Sequence, residues 1–206
     1  MTLKINYLDR QKDLSKNMAL FLGKDARISD FKGIFDDNLN QKILKFLKQN
    51  QKIAKNKISS LNLEFDQKLI IILLATKTNS QEAEELGAKF YDYIKKNEIN
   101  EIYLMGTNFS SAKSKIQLNK FLHGSELKAY EFNLYKSKKN KKNITFNILK
   151  NKNVVDQKTK NKLDAVLKGV NFTRDLVSEP GNILHPDEYA RRLIKLKKYG
   201  LKVTVY

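Results

Sequence analysis

Hydrophobic residues recur along the chain at strand-like and helix-like spacings, which together predict an alternation of strands and helices. Apolar residues at every second position predict strands at residues 3–8, 58–65, 130–134 and 144–148. Denser apolar runs predict further strands at residues 17–22, 69–75 and 101–105. Helical spacing predicts helices at residues 39–56, 80–96, 110–125, 156–178 and 186–199. A last strand is predicted at residues 201–206, after a stop at Gly200.

The order of these elements predicts a mixed α/β sheet. The run at 69–75, a helix capped by Ser80 and the strand at 101–105 form a strand–helix–strand unit, whose two strands are expected to be parallel. The strands at 130–134 and 144–148 are expected to pair as a hairpin. The lysine-rich run between them, residues 136–142, suits either a phosphate-binding loop or a solvated hairpin tip.

Both prolines lie near the end of the chain, where the pattern indicates helix, break, helix. Apolar residues from Leu163 to Val177 keep helical spacing until Pro180 and Gly181 stop the helix. Pro186 suits the first turn of the next helix, and Glu188 is expected to reach back to the amide of His185.

The residues around this break resemble the junction motif of leucyl (cytosol) aminopeptidases, a family of two-metal peptidases. The matching positions are Gly169, Arg174, Asp175, Leu176, Val177, Glu179, Pro180, Asn182, Pro186, Tyr189 and Ala190. Three positions depart from the family pattern, because Thr173 replaces Ala, Ser178 replaces Asn and His185 replaces Thr. The change at His185 loses a good N-cap. A second series resembles the segment that precedes the junction in the same family: Gly124, Tyr130, Phe132, Tyr135 and residues 136–139.

This resemblance implies a division of the chain and a function for the protein to which it belongs. Residues 1–150 are expected to form a macro-domain-like N-terminal domain, 151–182 a junction helix and linker, and 183–206 the first helix and strand of a catalytic domain. The family removes N-terminal amino acids, leucine preferred, from peptides with two divalent ions (Mn, Zn or Mg), as a cytoplasmic homo-hexamer. Because the family's metal ligands and catalytic residues follow the junction, this chain is expected to be inactive alone.

The net charge of the chain suggests an alternative function. The 206 residues have a formal net charge of +18. A basic surface suits nucleic acid, including DNA, whereas dispersed lysine with little arginine suits plain solubility. A nucleic-acid-binding or regulatory module without peptidase activity therefore remains an alternative. The chain has no cysteine for disulfides, and no apolar stretch of the roughly 20 residues that span a membrane, which predicts a cytoplasmic protein without membrane contact.

Candidate chemistry is sparse in the sequence. His123 and His185 are the two histidines, and each is expected at a helix end rather than at a metal. We predict no catalytic and no metal-binding residue, and the motif residues Gly169, Arg174, Asp175, Leu176, Pro180, Asn182 and Pro186 are assigned a structural role. Arg174 and Asp175 are expected to anchor neighbouring elements, because adjacent residues on a helix do not face each other. The loop at residues 105–108 lacks the full glycine pattern of a nucleotide site.

Overall fold

A computed structural model describes residues 3–8, 16–22, 35–49, 58–63, 67–74, 78–106, 111–137, 143–149 and 155–206. The strands are β1 (Leu3–Leu8), β2 (Met18–Leu22), β3 (Ile58–Asn62), β4 (Lys68–Leu73), β5 (Glu101–Met105) and β6 (Ile144–Leu149). The helices are α1 (Asp37–Gln49), α2 (Ser80–Lys96), α3 (Ala112–Ala129), α4 (Gln157–Ser178), α5 (Pro186–Ile194) and a 3₁₀ helix (Lys195–Tyr199). The strands form one sheet in the order β1-β6-β5-β2-β4-β3.

The sheet is mixed, as the sequence predicts. Strand β3 pairs antiparallel with β4, whereas the other neighbouring pairs are parallel. β4 and β5 both run parallel to β2, which lies between them, so the predicted strand–helix–strand unit is confirmed. The mixed α/β fold class is confirmed as well.

The branched run of β4 is buried on both faces of the sheet. Ile70 and Ile72 belong to the core beneath α2 and α3, and Leu69 and Ile71 belong to the core beneath α1. Side chains alternate across a strand, so a strand with two covered faces must be apolar at every position. This is why the run is continuous rather than alternating.

Two glycines let α2 and α3 approach closely. A Cβ at Gly87 would lie 1.8 Å from the backbone oxygen of Phe121, and a Cβ at Gly124 would lie 1.9 Å from that of Glu84. The Ser125 hydroxyl donates to the Gly87 carbonyl across the same contact, at 2.9 Å. The two helices therefore meet backbone to backbone.

The predicted hairpin at 130–134 is wrong. These residues form no strand, and β6 is hydrogen-bonded on both sides, to β1 and to β5. A strand with two parallel neighbours has no edge left for a hairpin partner. The predicted strand at 201–206 is wrong too, because these residues pair with no strand of the described chain and an unpaired strand is not stable in water.

Several element ends also differ from the prediction. Asn79, not Ser80, caps α2, with its Oδ1 accepting from the Glu82 amide at 2.8 Å. The helix predicted over 110–125 begins at Ala112 and continues to Ala129. The helix predicted over 186–199 is α-helical to Ile194 and 3₁₀ beyond it, with Gly200 at φ 84°. Residues 50–56, predicted as helix, lie outside the described residues.

Helix α4 lies against α3 and extends past it. Its predicted cap is confirmed, since Asp156 Oδ2 accepts from the Thr159 amide at 2.7 Å. Leu163 and Leu176 are buried, but Val166 is 45% and Val177 81% exposed. One stripe of the helix thus covers the domain while another faces outward.

Candidate functional site

The junction motif clamps the end of α4 onto the end of α3. Arg174 Nη1 donates to the Leu127 carbonyl at 2.7 Å, and its guanidinium lies 5.3 Å from the Tyr130 ring centroid. The Tyr130 hydroxyl donates to Asp175 Oδ1 at 2.8 Å. From two adjacent positions of one helix, Arg174 and Asp175 thus contact the last turn of α3 and Tyr130, the residue that caps it.

Glu179 joins this clamp to α5. It caps α4, and its carboxylate accepts from the Tyr135 hydroxyl and from Arg192 Nη1, the latter at 2.9 Å. Its side chain is only 3% exposed. The two hydrogen bonds hold the pKa of Glu179 below its usual value, so the carboxylate is charged where it meets Arg192.

Glu188 takes a different role from the one predicted. Its oxygens accept from Arg191 and Arg192, at 2.6 to 2.8 Å, instead of reaching back to His185. These two guanidinium groups bring the pKa of Glu188 to about 2. His185 precedes α5 without a side-chain cap bond, consistent with the loss of a capping residue at that position.

A cleft of about 410 Å³ lies beside the clamp. It is lined by Glu131, Phe132, Asn133, Leu134, Phe172, Asp175, Leu176, Glu179 and Arg192. Hydrogen bonds already engage the carboxylates of Asp175 and Glu179. Across the described residues, no group of three or more His, Asp or Glu could hold a metal ion. The described residues therefore do not fit a two-metal site, and this cleft is an ion-paired junction.

The other motif positions do not converge on this cleft. Gly169 is exposed on α4, with open space where a Cβ would lie. The Pro180 carbonyl accepts from the amides of Ile183 and Leu184, at 2.9 Å each, and so closes the turn between the helices. Asn182 and Pro186 are exposed. Their structural role remains a prediction.

His123 is not a helix-end residue, contrary to the prediction. It lies inside α3 and is 3% exposed, and its Nδ1 has no hydrogen-bond partner among the residues that the structure describes. Burial lowers the pKa of its imidazole, which is neutral at pH 7. The sequence suggested a helix end at Gly124, but that glycine serves the contact with α2 and the helix continues through it.

Around His123 lies a group of ionisable residues that the sequence did not reveal. Glu126 follows on the same face of α3, and burial raises its pKa to about 7, with Asp164 of α4 adding to the effect. Burial also raises the pKa of Tyr7, on β1, to about 12. The available signal was the spacing of Asn119, His123 and Glu126, which places three polar residues on one face of the helix.

Parts of two predicted features lie outside the described residues: residues 107–108 of the loop at 105–108, and residues 138–142 of the lysine run. No helix among the described ranges is long and apolar enough to cross a membrane.

The similarity to known proteins covers less of the chain in sequence than in fold. No family model matches the chain. A probable cytosol aminopeptidase of Phytoplasma mali is 39% identical over 98 residues, which cover 45% of this chain and 20% of that protein. A probable cytosol aminopeptidase of Phytoplasma australiense is 31% identical over 111 residues, covering 53% of this chain and 22% of that protein. The chain thus matches only about a fifth of the length of these relatives.

The fold agrees over nearly the whole chain. A tomato leucine aminopeptidase mutant superposes with a TM-score of 0.61 and 22% identity, covering 97% of this chain and 43% of that one. A cytosol aminopeptidase from Coxiella burnetii gives a TM-score of 0.54 at 13% identity. This chain is similar to the N-terminal portion of cytosol aminopeptidases. The similarity in sequence covers about half of the chain, and the similarity in fold covers nearly all of it.

Proposed function

We propose that this chain is the N-terminal portion of a metal-dependent aminopeptidase, which releases N-terminal amino acids, leucine above all, from peptides. The metal ions and the catalytic residues belong to a catalytic domain that the described residues do not supply. The observation that carries this proposal is the superposition of 97% of the chain on 43% of a leucine aminopeptidase, together with the named relatives.

The distribution of exposed apolar side chains supports the same proposal. In the described residues before 155, three large hydrophobic side chains are exposed, whereas nine are exposed in residues 155–206. Those nine are Val166, Val177, Ile183, Tyr189, Ile194, Tyr199, Leu201, Val205 and Tyr206. A concentration of exposed apolar residues marks a surface that another body covers. In the proposed enzyme the remainder of the catalytic domain covers this surface, and the assembled protein is a cytoplasmic homo-hexamer.

The test is a fusion enzyme. Residues 1–206 replace the corresponding N-terminal portion of the Phytoplasma mali protein, and hydrolysis of leucine p-nitroanilide is measured with Mn²⁺, Zn²⁺ or Mg²⁺. We expect metal-dependent turnover from the fusion and none from the 206-residue chain alone. Turnover by the chain alone would show that its own residues hold a catalytic site.

A pair of matched variants tests the docking surface. Val177→Asp adds a negative charge to the exposed stripe of α4. Lys89→Asp makes the larger change, reversing a charge at an exposed position of α2, away from that stripe. We expect the first to leave the thermal midpoint of the isolated chain unchanged but to lower turnover of the fusion, and the second to change neither. Equal turnover of the two variant fusions would contradict the proposed contact.

A further inference from the structure

A groove of about 480 Å³ lies between α1 and β3, at the end of the sheet farthest from β1. It shares no lining residue with the cleft at the junction. The apolar side chains that line it are only partly buried, although they pack against the core beneath α1: Leu39, Phe46, Leu61 and Leu63. This core is therefore incompletely covered where it reaches β3.

Beside the groove, β3 has one edge without a partner strand in the described chain. Its other edge bonds β4, and the ladder continues to the Leu63 amide, which donates to the Gln67 carbonyl at 2.9 Å. Hydrogen-bonded and non-hydrogen-bonded pairs alternate along an antiparallel ladder, so every second residue counted back from Leu63 bonds β4. The residues between them direct their main-chain N–H and C=O groups to the open edge: Ile58, Ser60 and Asn62.

The rim of the groove is basic. Lys42 and Lys45 of α1 line it, both are exposed, and neither forms an ion pair with a residue that the structure describes. Asp36 also lines the groove, but its Oδ1 accepts from the Leu39 amide at 2.7 Å, at the start of α1. An apolar floor, two free cations and an open strand edge thus lie side by side.

We propose that β3 binds an extended acidic peptide, which adds to the sheet as a further strand. Residues two apart on a strand face the same side, so an apolar side chain of the peptide enters the groove and the acidic side chains on either side of it meet Lys42 and Lys45. The site involves neither the junction nor residues 155–206, and so it does not depend on the proposed aminopeptidase activity.

A second copy of this chain fits the edge poorly. Residues 58–62 contain no acidic side chain to meet the lysines. Antiparallel pairing of two β3 strands would also place both α1 helices on one face of the joined sheet, with their lysines on the same side. Like charges brought together across an interface oppose association.

Two blocked heptapeptides test the charge of the partner. In the first, glutamate, leucine and glutamate alternate with threonine, and in the second, lysines replace the glutamates. Binding to the full chain is measured by calorimetry. We expect the first peptide to bind about tenfold more tightly than the second, because opposite charges meet at the rim. Equal affinities of the two peptides would overturn the proposal.

Hydrogen exchange measured by NMR tests whether the peptide joins the edge of β3. At saturating concentrations of the glutamate peptide, exchange should slow by about tenfold at the amides that gain partners: Ile58, Ser60 and Asn62. Unchanged exchange at these amides would exclude strand addition. Strong protection in the free chain would also overturn the proposal, because another segment or a second copy would then occupy the edge.

Methylation of the peptide's own main chain provides an independent test. Only one edge of the bound peptide faces β3, so methyl groups on one alternate set of its amides should abolish binding. Methyl groups on the other alternate set should leave binding intact. Binding by both methylated peptides would show that side chains alone hold the peptide, which contradicts strand addition.

A pair of double variants separates the basic rim from the net charge of the chain. Lys42→Glu with Lys45→Glu reverses the rim, and this variant should bind the lysine peptide more tightly than the glutamate peptide. Lys89→Glu with Lys113→Glu makes the same change in net charge at exposed positions of α2 and α3, on the other face of the sheet, and should keep the preference for glutamate. Equal effects of the two double variants would refute the assignment of the rim, because net charge would then explain the binding.

Discussion

Replacing Gly124 by alanine tests how tightly α2 and α3 are packed. The new Cβ would lie 1.9 Å from the backbone oxygen of Glu84, where real Cβ contacts do not fall below 3.0 Å. Since the obstacle is backbone rather than a flexible side chain, the two helices must separate by about 1 Å to accept a single methyl group. The contact of Gly87 with the Phe121 oxygen lies in the same crossing and would be disturbed with it.

The magnitude follows from two opposing effects. Overpacking a core costs about 3 kcal/mol at its severe end. Alanine is a better helix former than glycine, which returns about 1 kcal/mol. We therefore expect Gly124→Ala to lower the free energy of unfolding by about 2 kcal/mol. Gly169→Ala is the matched control, because it lies in α4 with nothing within 4 Å of its Cβ and should raise the free energy of unfolding by about 1 kcal/mol.

Urea denaturation followed by circular dichroism measures both variants. The two denaturation midpoints should move in opposite directions, and the slopes of the transitions should not change. If Gly124→Ala proved as stable as Gly169→Ala, the backbone contact between α2 and α3 would not be what requires glycine there.

Two further substitutions probe single groups. Asn79→Ala removes the acceptor for the Glu82 amide and should lower the free energy of unfolding by about 1 kcal/mol in urea denaturation. Ser80→Ala should lower it far less. Equal losses in the two variants would contradict the assignment of the cap to Asn79. Burial raises the pKa of Glu126 from its usual value near 4.5 to about 7 in the folded state. The folded state therefore binds the proton more tightly, and it loses stability as the pH rises from about 4.5 to about 7. The thermal midpoints of the wild type and of Glu126→Gln are compared at pH 5 and pH 8, because the lowered pKa of His123 acts in the opposite direction over part of this range in both proteins. The midpoint of the wild type should fall relative to that of Glu126→Gln, and a rise relative to the variant would disprove the sign.

The sequence predicted best where the local pattern and the tertiary environment agree. The continuous run of β4 is apolar because both faces of the sheet are covered, so the composition of the segment was enough to place it. The cap of α4 at Asp156 is similarly local, since it depends on one side chain and an amide three residues later. The junction motif was recognised from its order of residues, and its contacts with Leu127 and Tyr130 required the structure.

The errors arose where distant parts of the chain decide the outcome. Alternation at 130–134 satisfies the local rule for a strand, but β6 already has β1 and β5 as neighbours. Residues 201–206 also alternate, and no strand of the described chain pairs with them. The group around His123 depends on β1 and α4 lying beside α3, which no spacing within α3 records.

The parallel pairing of β1 with β6 affects how the chain folds during synthesis. Asn6 donates to Asn147 at 2.9 Å, across 141 residues of sequence. Ribosomes add about 5 to 20 residues per second, so β1 waits roughly 7 to 30 s for its partner after it emerges. The remaining four strands can assemble in that interval, leaving the β5 edge open until β6 is inserted beside it. Addition of β6 beside β5, followed by docking of β1 on the outer edge of β6, is therefore expected to complete the sheet. Folding thus starts with strands from the middle of the chain and ends with its first strand.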